Sequence, residues 1–178
     1  NEIRSHTSLR GVAALIVVLV HFRSFFHSSI YPDETWFLYK GYLWVDFFFI
    51  LSGFILSYIY GLEQPARRTL SDITRYLIAR FARIYPLHLI SLLVVFLFFT
   101  MISLVSWNKT GVFCCLFDGS LRDVESLIAN LFLVHAWGMF DSVTWNLPSW
   151  SLSTEFFCYL IFAALLAMEG PVRKLALL

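Results

Sequence analysis

Arg10 and His21 lie eleven residues apart, and a helix would bring them onto one face. Eleven residues rise about 16 Å and return to within about 20° of the same azimuth. The pair brackets the apolar run LRGVAALIVVLVHF at 9–22. An ionisable ring inside such a run is costly unless it faces a protein interior or a water-filled cavity. That face is therefore the candidate functional face. Asp46 and Glu155 are carboxylates within later apolar runs. A His beside a carboxylate can take a proton from a hydroxyl as a general base, and the neutral ring is the form that does so. The plainer alternative is a His satisfied by a backbone carbonyl or a Ser in a bundle core. Asp46 has the same two readings: it fixes bundle packing, or it orients His21 or a polar substrate. Ser151 lies one turn before Glu155. It has no obvious adjacent base to make it a nucleophile, so it reads as a support for Glu155 or for a bound acceptor. Arg80 falls in the middle of a helical stripe made by Ile73, Tyr76, Leu77, Phe81 and Ile84. Arg83 is on its flank and Arg75 is opposite. Arg80 and Arg83 either snorkel to lipid phosphates or hold a phosphate-bearing ligand against the bundle.

The elements that must position these groups are apolar helices. Hydrophobic residues make up 59% of the chain and charged ones 14%, against about 25% charged in a soluble domain. Mean hydropathy is +0.74, and 19 Phe, 8 Tyr and 6 Trp suit lipid contact and interfacial belts. Net charge is +1, so nothing suggests nucleic acid. Cys114 and Cys115 are adjacent and cannot easily pair, and Cys158 reads as packing. There is no Gly-rich nucleotide loop, metal-ligand spacing or G-x-S-x-G elbow. The expected fold is all-α, a polytopic integral membrane bundle of four or five spans at about 20 residues each.

Span 1 is expected over 9–26 and is retained rather than cleaved, since no A-x-A-like site follows. A polar loop at 27–35 leads to span 2 at 36–60. There, Gly53 and Ser57 form a small-xxx-small pair that invites a neighbouring helix. The Arg-rich stretch 61–85 is cytoplasmic by the positive-inside rule, which also puts the N-terminus and Arg10 on that side. Ser71 is the expected N-cap of a helix ending near Ile84. Pro86 then opens span 3, running to about Ser106, with His88 interfacial. Residues 107–124 are external. Residues 125–140 are short and interrupted by Asn130 and His135, so they either cross or lie as a re-entrant or interfacial segment. A final span runs over 148–168. If 125–140 cross, the basic end at Arg173 and Lys174 is external. If they do not, it is cytoplasmic, and Trp150, Ser151 and Glu155 lie near the external side.

Four segments, taken together and in order, resemble the membrane-bound acyltransferase family 3, the polysaccharide and sugar O-acyltransferases. Arg10 with His21 is similar to its Arg/Lys-ten residues-His signature. DFFFILSGF at 46–54, RFARIYP at 80–86 and WSLSTE at 150–155 resemble its D-x-FF-x-LSGF, R-x-x-R-I-x-P and WSLS-x-E segments. The resemblance covers about residues 9–160. It implies transfer of an acyl group, often acetyl, from acyl-CoA to a hydroxyl of a glycan, lipid-linked sugar or other extracytoplasmic acceptor. It implies no bound cofactor or metal, and a bacterial inner-membrane location. It implies His21 as base, Arg10, Arg80 and Arg83 bearing on the donor, and Trp150 and Glu155 near the reaction centre. The family has about ten spans, so residues 1–178 are expected to be one truncated domain, the first half of the bundle. The rival class is a transporter or channel in which His21, Asp46 and Glu155 form an ion pathway. A carrier would make no new ester.

Overall fold

The structure is a computed structural model that describes residues 4–22, 40–41, 43–60, 69–112, 116–117 and 122–168. The described residues fold into α1 (Arg4–Phe22), α2 (Leu43–Tyr60), α3 (Leu70–Thr110), α4 (Val124–Leu131) and α5 (Trp150–Ala167). A 3-10 turn, Leu147–Ser149, leads into α5, and there is no strand among these residues. They fall into two units, Asn1–Gln64 and Pro65–Leu178, described separately below. Three stretches are long and apolar enough to cross a bilayer: α2, α3 and Leu147–Ala167. The apolar part of α1, Gly11–His21, is shorter. The end of the expected span 1, the loop at 27–35, the first residues of span 2 and Arg67 and Arg68 lie outside the described residues. A polytopic helical membrane fold accounts for the chain.

In the first unit α1 packs on α2. Ala13 is fully buried, and α2 buries Leu51, Ser52 and Leu56. The expected close approach at Gly53 and Ser57 is not found among the described residues. Gly53 is exposed, and a Cβ added there would meet open space. The Ser57 hydroxyl instead donates to the Gly53 carbonyl at 2.9 Å, which satisfies it within its own helix.

The second unit is built on α3, whose 41 residues make a rod about 60 Å long, twice the hydrocarbon core of about 30 Å. Its N-cap is Thr69, not Ser71. The Thr69 hydroxyl accepts from the Asp72 N–H at 3.2 Å, and Asp72 Oδ2 accepts from the Thr69 N–H at 3.0 Å. This reciprocal capping box satisfies two end donors at once, which places Ser71 inside the helix. Nor does the helix stop at Ile84: it continues through Pro86 to a left-handed cap at Gly111, whose N–H donates to Trp107. A proline inside a helix removes one ladder bond. The packed stripe runs straight across it: Tyr76, Ile84, His88 and Leu92 are all buried on one side.

Against that stripe α5 runs antiparallel. Phe162 meets Tyr76 with ring centroids 5.5 Å apart, and Phe156 meets Phe81 at 5.9 Å. Just before α5, Asn146 Nδ2 donates to Ser91 Oγ at 2.9 Å. Farther along α3, Leu92, Leu116 and Trp145 form a core with Phe96, Phe99, Leu127 and Leu131 around it. Helix α4 has only 8 residues, opened by a second capping box between Asp123 and Ser126. At about 12 Å it is too short to cross, and irregular chain follows it through Asn146. Residues 125–140 are therefore not a helical span, and α5 ends at the same end of α3 as Leu70. The outward face of α3 carries exposed Leu87, Ile90, Val94, Leu97 and Phe98. Lipid offers such side chains what a helix partner would, so close packing and interhelical polar bonds must specify the contact.

Candidate active site

One turn of α3 and one turn of α5 bring Arg80 and Arg83 near Glu155 and Tyr159. Arg80 lies on the packed stripe and is partly buried, while Arg83 is exposed. The Arg80 guanidinium sits 5.7 Å from the centre of the Tyr76 ring, within cation–π reach. Tyr76 in turn meets Tyr159 edge-on at 6.3 Å. The Tyr159 hydroxyl donates to Oε1 of Glu155, a carboxylate only 8% exposed. Both guanidinium groups act on Tyr159 through space. A buried carboxylate is tolerated when it is hydrogen-bonded, and Tyr159 supplies that bond to Glu155. Glu155 packs beside the Arg80 turn. The antiparallel run of α5 is the reason.

The irregular segment between α4 and α5 is held by a residue that sequence reasoning passed over. Ser153, fully buried, donates from Oγ to the Leu133 carbonyl at 2.8 Å and accepts from the Ala136 N–H at 3.1 Å. Its own carbonyl accepts from Trp137 Nε1 at 3.1 Å. Ser151, favoured from the sequence, only donates to the Pro148 carbonyl at 3.1 Å and does not hold Glu155. Two bulky residues in the left-handed region bracket the segment, Leu133 at φ 57° and Trp145 at φ 46°. Each costs about 1–2 kcal/mol and persists only where its surroundings over-determine it. Ser153 does so for Leu133. For Trp145, Nε1 donates to Ser126 Oγ at 3.0 Å.

Two histidines tie α4 and the same segment to α3. His88, expected at the interface, is fully buried and donates from Nε2 to the Asn130 carbonyl at 2.8 Å. Its signal was present: His88 is four residues after Ile84, on the stripe already drawn. Its ring stacks on that of His135, 6.1 Å away and 9° from parallel. The Ser149 hydroxyl hydrogen goes to the Asn146 carbonyl, so Ser149 Oγ accepts from His135 Nε2 at 3.1 Å. His135 lies outside the three membrane-length helices. Burial first, and the neighbouring His88 second, push its pKa down to about 4. The ring is neutral at pH 7. Beside it opens a cavity of about 300 Å³, walled by His135, Gly138, Phe140, Asp141, Val143 and Trp150.

The first unit holds the remaining candidates. Arg10 lies in α1, but its side chain is outside the described part. His21 is exposed near the end of α1, and its Nδ1 donates to the Val17 carbonyl at 2.8 Å. A carbonyl can only accept, so the proton is on Nδ1 and the neutral ring presents Nε2 as a lone pair. Asp46 lies in the first turn of α2 and is exposed, where the helix dipole favours a carboxylate. Arg80, Arg83, Trp150, Ser151 and Glu155 all belong to the second unit. Within it, Arg80 and Glu155 share one cluster, and Trp150 lines the cavity.

A family model described as an acyltransferase domain matches residues 6–178. The chain belongs to this acyltransferase 3 family. It is 34% identical over 181 residues to the acyltransferase MdmB of Streptomyces mycarofaciens, covering 96% of this chain and 41% of that protein. It is 42% identical over 84 residues to protein 2 in the picA locus of Rhizobium radiobacter, covering 47% of this chain and 39% of that protein. The chain thus spans about two fifths of the length of the curated relatives it matches. No solved structure matches it significantly.

Proposed function

We propose that the protein to which this chain belongs transfers an acyl group, such as acetyl, from acyl-CoA to a hydroxyl of a glycan or other extracytoplasmic acceptor, in a bacterial inner membrane. The observation that carries the reading is the Arg80 turn packed against buried Glu155 and Tyr159. It presents the guanidinium groups of Arg80 and Arg83 from α3, a charge suited to the phosphates of a CoA donor. His21 is the base, with Nδ1 anchored on Val17 and Nε2 left to accept.

The step balances simply. Nε2 takes the acceptor hydroxyl proton as that oxygen attacks the thioester carbonyl. The C–O ester bond forms, the C–S bond breaks, and the thiolate leaves with the proton returned from His21. Transfer is direct, within a ternary complex, so binding both substrates supplies much of the rate. Arg10 bears on the donor, Trp150 and Ser151 on the acceptor side, and Asp46 orients polar groups near His21. The test is ester formation by the full-length protein from labelled acetyl-CoA, with donor affinity measured in an Arg80→Ala, Arg83→Ala variant. New ester in the wild type, with donor affinity lost in the variant, supports the reading. No labelled ester from the wild type, or a variant that binds donor normally, sinks it.

A further inference from the structure

Glu155 and Tyr159 are four residues apart on α5, so their side chains are neighbours on the helix surface. Both are buried: Glu155 is 8% exposed and Tyr159 4%. The phenol donates to the carboxylate. On the facing helix the cations are close. Phe81 and Phe156, each the residue that follows Arg80 and Glu155 in the chain, meet at 5.9 Å. The Arg80 guanidinium lies 5.7 Å from the centre of the Tyr76 ring, and that ring meets Tyr159 at 6.3 Å. The charges of Arg80 and Arg83 both act on Tyr159.

A buried carboxylate so placed has two kinds of donor within its surroundings. A guanidinium offers a charge-assisted and often two-pronged bond, about twice as strong as a neutral one. A phenol offers one bond and no charge. Among the described residues, Glu155 takes its hydrogen bond from the phenol. That bond asks nothing of α3, because both partners are on one helix, and the Tyr159 ring stands edge-on against Tyr76. The phenol thus satisfies the carboxylate without drawing a cation into an ion pair.

We propose that Tyr159 is a positioning residue: its hydroxyl holds the Glu155 carboxylate on α5 and so keeps it from closing an ion pair with Arg80. An arginine closed onto Glu155 would present less charge, and fewer N–H groups, to a bound anion. The inference rests on the acyl-transfer reading, in which that anion is a phosphate of the donor, and it adds the residue that keeps the cation turned to it. Tyr159 itself touches no substrate. It acts through Glu155, and its hydroxyl is the part that matters. Without that hydroxyl the carboxylate is left buried and without its donor, a costly state. The remedy on the facing helix is the Arg80 guanidinium. The donor phosphate would then have to displace a carboxylate in order to bind.

The experiment uses the full-length protein in detergent. It reads acetyl-CoA affinity at equilibrium and, separately, thermal unfolding without donor. Tyr159→Phe removes the hydroxyl and keeps the ring that packs on Tyr76. It should bind acetyl-CoA about tenfold more weakly than the wild type, the scale of one hydrogen bond to a charged group. Adding Glu155→Gln removes the competing charge, and the double variant should regain most of the lost affinity. Without donor, Arg80→Ala should cost more stability in the Tyr159→Phe background than in the wild type, and adding Glu155→Gln should abolish that difference. A bond that serves stability alone would lower the unfolding temperature of Tyr159→Phe and leave its acetyl-CoA affinity unchanged. That result, a loss of affinity that Glu155→Gln does not repair, or an Arg80→Ala effect equal in both backgrounds overturns the proposal. So does a Tyr159→Phe protein that does not fold, because capture of the carboxylate by Arg80 predicts a folded variant. A wild type that does not bind acetyl-CoA counts instead against the acyl-transfer reading, and the unfolding measurements still decide whether Tyr159 keeps Glu155 from Arg80.

Discussion

Replacing Ser153 by Ala should do far more than replacing Ser151 by Ala, although the two serines are one residue apart from being neighbours in the same motif. Ser153 Oγ satisfies the carbonyl of Leu133, a fully buried residue, and the N–H of Ala136. Each buried polar group left without a partner costs about 1–3 kcal/mol. Leu133 also sits at φ 57°, a conformation that costs about 1–2 kcal/mol and is held by this same bond. The two groups left unpaired together should destabilise the full-length Ser153→Ala protein by about 2–6 kcal/mol. Ser151 donates only to the Pro148 carbonyl at a part-exposed position, and its loss should cost about 1 kcal/mol or less. Thermal unfolding in detergent gives the order of the two variants. Amide hydrogen exchange gives the location: Ala136 should lose protection in Ser153→Ala alone. Equal stability of the two variants, or unchanged exchange at Ala136, would refute the clamp.

Two further outcomes follow from named groups. His135, buried, binds its proton only near pH 4, whereas in the unfolded chain it does so near its ordinary value of 6.5. Between those values the unfolded state holds more protons. Stability should fall as pH drops from about 6.5 toward 4, by on the order of 3 kcal/mol from this group. A His135→Gln variant should show a flatter pH profile of unfolding; an identical profile would remove His135 as the cause. Arg83→Ala should leave stability within about 0.5 kcal/mol, as for an exposed residue, yet raise the donor KM. A normal KM would release Arg83 from the donor role.

The sequence was most legible where one helix periodicity was enough. The α3 stripe, with Arg80 inside it and Arg75 opposite, follows from the 3.6-residue repeat and stands in the structure. The same repeat reached His88, but a polar ring near Pro86 looked interfacial, because the proline suggested a helix start. Continuous packing through Ile84, His88 and Leu92 overrode that local signal. Ser71 lost the cap to Thr69, because Asp72 sits three residues after Thr69 and completes the box. Ser153 was hidden for a different reason. Its partners, Leu133 and Ala136, are 20 and 17 residues away, in a segment without periodicity, and only the fold brings them together. The position of Glu155 beside Arg80 depended on the direction of α5, which two terminal basic residues could not decide.

The most direct measurement is single-turnover acyl transfer from labelled acetyl-CoA by full-length His21→Gln, with donor affinity determined on the same sample. If the ring is the general base, the transfer step should fall by about 10²–10⁴-fold while donor affinity stays at the wild-type value. Transfer at the wild-type rate would contradict the assignment of His21 and, with it, the mechanism built on that residue.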